Sequence, residues 1–173
     1  MSLTLYDASI PVYVRMLSNL TAFLEKAEIH ARENSVDLAT LAEARLAPDM
    51  HPLTRQVQTA SDAAKGGAAR LAGVEAPSMP DTETTFPELK SRIAKTIAYL
   101  GTIKAEQIEG DDDRIIEMKF PGRTVTFTAR DFLLQFSLPN FMFHVVTAYD
   151  ILRAQGVPLG KMDFLAGAQM QTA

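Results

Sequence analysis

The stretch FLLQFSLPNFMFHVVTAYDILR, residues 132–153, decides the fold of this chain. It is the most apolar segment of the sequence, and it carries Gln135, Asn140 and His144 among large hydrophobic residues. A polar side chain that loses water without gaining a hydrogen bond costs about 1–3 kcal/mol on protein mutational scales. These polar groups therefore need partners, and we expect the segment to be a helix in the centre of a bundle.

The polar residues of this stretch also bear on whether it crosses a membrane. A spanning helix needs roughly 20 predominantly apolar residues, whereas here polar side chains and Pro139 interrupt the middle and Arg130 and Asp131 precede it. The pattern predicts a buried helix of a soluble bundle. Pro139 predicts a kink around residues 136–138, because proline lacks the amide hydrogen that an α-helix needs. Gly156, followed by Pro158, predicts where the helix ends.

The first part of the chain predicts one long and one short helix. Residues 4–34 carry apolar side chains at three- and four-residue spacing, which is one helical stripe. Thr4, with Asp7 three residues later, resembles a capping box, and Pro11 should bend this helix or delay its regular start. Residues 37–46 predict a short helix with Asp37 as its N-cap.

Two more long helices are predicted before the central stretch. One starts near Asp49, which can cap it, and has His51 in its first turn. Its pair Gly66–Gly67 should weaken it by about 1 kcal/mol per glycine relative to alanine. After a loop, Thr85 and Glu88 form a second capping-box pattern, and the third long helix should run from there to about residue 108.

Residues 114–128 change from helical spacing to strict alternation of apolar and polar residues, which predicts a β-hairpin. Because Pro121 cannot take a positive φ, a type I or II turn inside a slightly longer loop is expected rather than a tight primed turn. The whole chain, residues 1–173, is predicted to be a single all-α domain. It is a four-helix bundle with this small hairpin between the third and fourth long helices. The tail, residues 157–173, has no strong signal for regular structure, although its apolar residues suggest that part of it packs.

Composition excludes several classes of function. The 173 residues carry a net charge of -4, so no basic face is expected for nucleic acid. The chain has no cysteine, which excludes disulfides, thiolate nucleophiles and cysteine-based metal sites. The N-terminus lacks a basic region followed by an apolar one, so we expect no signal peptide and a cytoplasmic protein.

Three polar residues are the candidates for chemistry. His51 lies at the start of the second long helix, and Asn140 and His144 lie four residues apart on the fourth, so both project from one face. If the two helices are neighbours, the three side chains could converge and hold a divalent metal such as zinc or nickel. Asn140 offers a neutral amide oxygen, a poorer ligand than imidazole or carboxylate. The alternative is that the histidine and the amide are hydrogen-bonded core residues without a metal.

Three segments resemble a known family. They are LTLYDASIPVYVRMLSNL at residues 3–20, APDMHPLTRQV at residues 47–57 and FSLPNFMFHVVTAYDILRAQGVPLGK at residues 136–161. The chain resembles the DinB/YfiT-like superfamily of four-helix metalloenzymes, in a bacterial branch that is a domain of unknown function. In its metal-binding relatives, one ligand histidine comes from the second helix and two come from a His-x-x-x-His on the fourth. His51 matches the first of these and His144 the last, while Asn140 stands in place of the middle histidine.

Two functions follow as hypotheses. In the first, the chain is a metal-dependent hydrolase or transferase that acts on a small molecule through a degenerate His/Asn/His site. In the second, it is a metal-free bundle that binds a small apolar ligand or forms a homodimer. Tyr6, Tyr13 and Tyr149 could line a pocket, and aromatic packing in the core is the other role for each.

Overall fold

The computed structural model describes residues 3–166 of the chain. Its elements, in chain order, are α1 (Ile10–Asn34), α2 (Leu38–Glu43), α3 (Leu53–Ala72), α4 (Phe86–Leu100), α5 (Ala105–Ile108), β1 (Ile115–Phe120), β2 (Arg123–Thr128), α6 (Ala129–Asp131), a π-helix (Phe132–Ser137), α7 (Leu138–Ala154) and α8 (Lys161–Ala166). Helices α1, α3, α4 and α7 form a four-helix bundle in which α3 packs against α4 and α7, and α1 packs against the same two. The predicted all-α bundle with a hairpin between its third and fourth long helices is confirmed. Within residues 3–166, no helix is both long and apolar enough to cross a membrane.

Helix α1 starts later than its apolar pattern, as Pro11 predicts. The amide of Asp7 donates to Thr4 Oγ1 at 3.1 Å, so the predicted cap is formed. Residues 5–9 nevertheless form turns, and the regular helix begins at Ile10 with the proline in its first turn. Proline is tolerated there because the first amides of a helix have no partner within it.

Helix α3 begins later than predicted, and the expectation that Asp49 caps it is wrong. The first helical residue is Leu53, and Pro52 is the N-cap with an extended ψ of 167°. Proline has no side-chain acceptor, and the Leu53 amide donates instead to the backbone carbonyl of Ala44, the residue that follows α2, at 2.9 Å. His51 therefore lies outside the helix, just before its N-cap, because the residue before a proline is pushed towards extended backbone.

Helix α4 has the predicted capping box of Thr85 and Glu88, but it ends at Leu100 rather than near residue 108. Gly101 is the C-cap of this helix, and the Thr102 hydroxyl donates to the carbonyl of Tyr99 at 2.6 Å. The short helix α5 follows and buries Ile108. Glycine is a poor helix former and the threonine hydroxyl competes for a helical carbonyl, so the continuous apolar pattern is divided between two helices.

The hairpin is confirmed, while the expected longer loop is wrong. Strands β1 and β2 are antiparallel, and Phe120 pairs with Arg123, so the connection is only two residues long. Gly122 takes a φ of 78°, which suits the third position of a type II turn. The hairpin packs on the π-helix: the Phe127 ring lies 6.3 Å from that of Phe132 and 6.0 Å from that of Phe136.

The central stretch is a continuous helical segment with a change of period. Thr128 caps it by accepting from the Asp131 amide at 3.1 Å. The π-helix occupies residues 132–137, and α7 takes over immediately before Pro139. The predicted kink is therefore replaced by a turn of wider π-helix just before Pro139, which has no amide hydrogen to donate. Gly156, with a φ of 85°, ends α7 as predicted.

The tail contains a helix that the sequence did not predict. Helix α8 packs on α1, where the Phe164 ring stacks on Phe23 at 6.4 Å and Lys26 forms an ion pair with Asp163 at 2.6 Å. The Asn19 amide donates to the carbonyl of Phe164 at 2.7 Å. Six residues are too few for a helical period to show in the sequence, so tertiary contacts hold this helix in place. Residues 167–173 of the predicted tail lie outside the described residues.

Candidate functional site

The interface between α3 and α7 brings the sequence-predicted histidines to the same part of the molecule. The His144 Nδ1 atom lies 2.8 Å from Gln56 Oε1. The amide nitrogen of the same glutamine donates to the backbone carbonyl of His51 at 3.1 Å. Gln56 is buried in the first turn of α3. One glutamine therefore connects the two histidines, which are nearly a hundred positions apart in sequence.

The three predicted site residues differ in exposure. His51 is exposed, whereas His144 and Asn140 are half-buried on α7. His51 is close enough to His144 for its charge to lower the pKa of that imidazole. Among the residues that the structure describes, no hydrogen bond joins the Asn140 side chain to either histidine. The polar partner of His144 is thus Gln56, not the asparagine that the spacing suggested.

The sequence did not predict a role for Gln56, and its only sign there is a polar residue next to an apolar helical face. Leu53, Val57 and Ala60 form part of the buried apolar face of α3, and Gln56 is a polar residue beside that face. Its burial depends on how α3 and α7 pack against each other, and a single helical pattern does not contain that information.

The electrostatics of the site favour a neutral His144. Burial is the main cause that lowers the pKa of this histidine, and the nearby positive charges of His51 and Arg55 lower it further. The edge of the Phe143 ring also meets the imidazole, at 5.2 Å between ring centroids. A neutral imidazole is the form that can bind a metal or accept a proton.

A buried polar pair lies where α1, α3 and the π-helix meet. Tyr13 and Ser137 share a hydrogen bond of 2.8 Å between their hydroxyls, and Gly67 of α3 packs directly against both. Burial raises the pKa of Tyr13 to about 12, against a smaller opposing effect of the Ser137 hydrogen bond. Tyr13 therefore stays neutral, and it is a packed core residue.

The other two tyrosines also have packing contacts. Tyr149 lies with its ring 5.6 Å from Phe23 and 6.1 Å from Phe164, and Tyr6 is a half-buried residue packed against the core.

A second polar cluster, also missed in the sequence, fixes the loop between α3 and α4. Arg92 is only 1% exposed, and its guanidinium pairs with Asp62 at 2.9 Å, Asp81 at 2.9 Å and Glu83 at 3.0 Å. It also donates to the carbonyl of Pro80 at 3.1 Å. These bonds tie residues 80–83 of the loop to both flanking helices. The cluster is an ion-pair network that organises the loop, and it lies apart from the α3–α7 histidines.

Comparison with known proteins assigns the chain to a family. A crystal structure of a DinB family member protein from Shewanella denitrificans superposes with a TM-score of 0.85 and 40% sequence identity, over 93% of this chain and 91% of that one. The model of a domain of unknown function, DUF1993, matches residues 5–165. The chain belongs to the DUF1993 family. The DinB-like resemblance of the sequence is thereby confirmed, and no curated protein matches this chain.

The DinB-like fold of this DUF1993 chain implies a metal, so the side chains that could bind one are compared with what a metal requires. Within residues 3–166, no group of three or more histidine, cysteine, aspartate or glutamate side chains is placed to hold a metal ion. The available donors are two imidazoles, His51 and His144, and the amide oxygen of Asn140. This set fits a divalent ion that keeps several waters better than a closed four-ligand zinc site.

Proposed function

We propose that this DUF1993 protein is a metal-dependent enzyme, a hydrolase or transferase acting on a small molecule, with His51 and His144 as the protein ligands of a divalent ion. Zinc and nickel are among the ions that imidazole ligands suit. The observation that supports this most directly is the state of His144. Its ring is half-buried, its pKa is lowered and one of its nitrogens is bonded to a buried glutamine.

Each residue of the proposed site has a distinct role. His144 supplies a neutral nitrogen on the rigid helix α7, and His51 supplies a second from the exposed turn before α3. Asn140 is one helical turn before His144 and could contribute its amide oxygen or hydrogen-bond a bound water. A bound divalent ion would lower the pKa of a coordinated water and polarise a carbonyl or phosphoryl oxygen. Open coordination positions would leave room for a small substrate.

Metal binding is tested with the three histidines of the chain, of which His30 is the matched control. Protein purified without an affinity tag or chelator is titrated with zinc or nickel while its melting temperature is recorded. At a metal concentration of about 100 Kd, binding to the native state adds about 2.7 kcal/mol to the free energy of unfolding. For a domain of this size, that raises the melting temperature by roughly 5–10 °C. We expect the shift in wild type and in His30→Ala, and its loss in His51→Ala and His144→Ala.

The proposal is rejected if wild type shows no shift with either metal. It is also rejected if His51→Ala and His144→Ala respond as wild type does. If the metal shift is observed, enzymatic activity is assayed with ester, amide and thiol-transfer substrates, and the His144→Ala variant serves as the blank.

A second function has support from the surface of α7. Phe143 and Val146 are 55% and 40% exposed one turn apart, and Leu134 of the preceding π-helix is 53% exposed. Such side chains on one helix could bind a small apolar ligand or a second copy of the chain, as the homodimer hypothesis requires. Sedimentation at micromolar concentration distinguishes the two states. A dimer that Val146→Glu converts to a monomer would support this function, and a monomeric wild type would remove the homodimer from it.

A further inference from the structure

We propose that Gln56 is a positioning residue that fixes His144 in the tautomer with hydrogen on Nδ1, so that Nε2 presents its lone pair. This inference deepens the proposed function and rests on it for the chemical use of that lone pair. The tautomer itself follows from hydrogen-bond geometry alone.

The orientation of the Gln56 amide is set by the backbone of His51. A carbonyl oxygen can only accept, so the glutamine atom that lies 3.1 Å from the His51 carbonyl must be the NH₂ group. The opposite atom, Oε1, then faces His144. Rotation of the amide by 180° would place two oxygens against each other at the His51 end, which excludes the alternative assignment.

The orientation of the amide in turn determines the proton of His144. Gln56 Oε1 lies 2.8 Å from Nδ1 and has no hydrogen to give, so Nδ1 must carry one. A neutral imidazole has a single N–H, and Nε2 is therefore left with a lone pair. Because Gln56 is only 2% exposed, water does not readily replace either of its hydrogen bonds.

The same reasoning predicts the opposite tautomer for His30, which makes the chain its own control. Asn34 Nδ2 donates to the backbone carbonyl of His30 at 2.9 Å, and it lies 3.2 Å from His30 Nδ1. An NH₂ group offers only hydrogens, so Nδ1 of His30 accepts and its ring hydrogen is on Nε2. Two histidines of one chain are thus held in different tautomers by two amides that face them with different atoms.

The arrangement suits a ligand histidine. Metal-binding histidines usually donate their second ring nitrogen to a fixed acceptor, which sets the tautomer and the direction of the ligand atom. Here the amide nitrogen of the same glutamine donates to the backbone carbonyl of His51, so one side chain bonds the ring of one proposed ligand and the main chain of the other. Loss of Gln56 would release the His144 ring and loosen the turn that carries His51.

The tautomers are read from two-bond nitrogen–proton correlations of the imidazole rings, recorded on the full chain at about pH 8.5, well above the ordinary imidazole pKa of about 6.5. In wild type we expect the Nδ1–H pattern for His144 and the Nε2–H pattern for His30. In Gln56→Met, a substitution of similar size without an acceptor oxygen, His144 should change to the Nε2–H form.

The matched control for Gln56→Met is Gln58→Met. Gln58 is also buried in α3, at 4% exposed, but it donates to Glu83, and within residues 3–166 no hydrogen bond joins it to a histidine. This variant should leave the His144 pattern unchanged. An Nε2–H pattern for His144 in wild type overturns the inference without any variant, as does an Nδ1–H pattern that persists in a folded Gln56→Met.

Titration with zinc separates this inference from the proposed function. If both hold, Gln56→Met weakens metal binding by about 10–100-fold and Gln58→Met does not. If wild type has the Nδ1–H tautomer but binds no metal, the proposed function fails and the positioning role of Gln56 stands. If wild type binds metal through an Nε2–H ring, the positioning role fails and the function stands.

Discussion

The adjacent glycines of α3 should respond in opposite ways to the same substitution. Both lie in the interior of the helix, where alanine is favoured over glycine by about 1 kcal/mol. A Cβ atom at Gly66 would meet only the end of the Arg70 side chain, at 2.8 Å. A Cβ atom at Gly67 would lie 2.9 Å from Tyr13 Oη and closer still to Ser137 Oγ, both of which are buried.

The magnitude for Gly67→Ala is the balance of three contributions. Overpacking of a filled core costs about 1–3 kcal/mol. Displacement of the Ser137 hydroxyl removes a hydrogen bond with a net value of about 0.5–1.5 kcal/mol. The helix propensity of alanine returns about 1 kcal/mol. The variant should therefore lose roughly 0.5–3.5 kcal/mol of unfolding free energy, whereas Gly66→Ala should gain up to about 1 kcal/mol.

Urea unfolding followed by circular dichroism measures both variants against wild type, and an unchanged m-value shows that the transition remains comparable. The clash is tested further in a background that lacks both hydroxyls, Tyr13→Phe with Ser137→Ala. There the Tyr13 Cζ atom remains at 3.4 Å, an ordinary contact, so Gly67→Ala should cost at least 1 kcal/mol less than in wild type. Equal effects at the two glycines, or full additivity in this background, would refute the reasoning.

Four further predictions concern ionisable groups. Because burial raises the pKa of Tyr13 to about 12 while the unfolded value is near 10, wild type should lose about 1 kcal/mol of stability between pH 9 and 11 that Tyr13→Phe does not lose; parallel urea midpoints would contradict this. Removing a positive charge in Arg55→Gln should raise the lowered pKa of His144, as followed by NMR titration, and an unchanged or lower value would argue against the charge effect. Since folded His144 binds its proton at lower pH than the unfolded chain does, stability should also fall as the pH drops below about 6.5, less so in His144→Gln. Arg92→Met should cost about 2–4 kcal/mol in urea unfolding, because three carboxylates lose a cation that is 1% exposed, and a loss below 1 kcal/mol would show that the network is replaceable.

The bundle was predictable because its signals are local. Thr85 with Glu88 predicts where a helix begins, and Gly156 predicts where one ends. Errors occurred where a boundary depends on a neighbouring element. Asp49 has the side chain of an N-cap, but the Leu53 amide donates to the carbonyl of Ala44, the residue that follows α2.

The sequence identified the two histidines of the candidate site, but not the glutamine that connects them. His51 and His144 stood out because the chain has only three histidines and the predicted helices that would carry these two could be neighbours in a bundle. Gln56 did not stand out, because a glutamine beside an apolar face is ordinary on an exposed helix. Only the burial of that face against α7 places it between the two histidines.

By itself, the sequence determined the number of long helices, the hairpin and the residues at which the central helix begins and ends, because each depends on spacing and on the conformational limits of nearby side chains. The tertiary structure alone decided that Gly66 is free to change while Gly67 is not, that Arg92 holds a loop, and that one amide faces His144 with its oxygen. These outcomes depend on atoms from helices far apart in the chain, whose relative distance and orientation are set by packing.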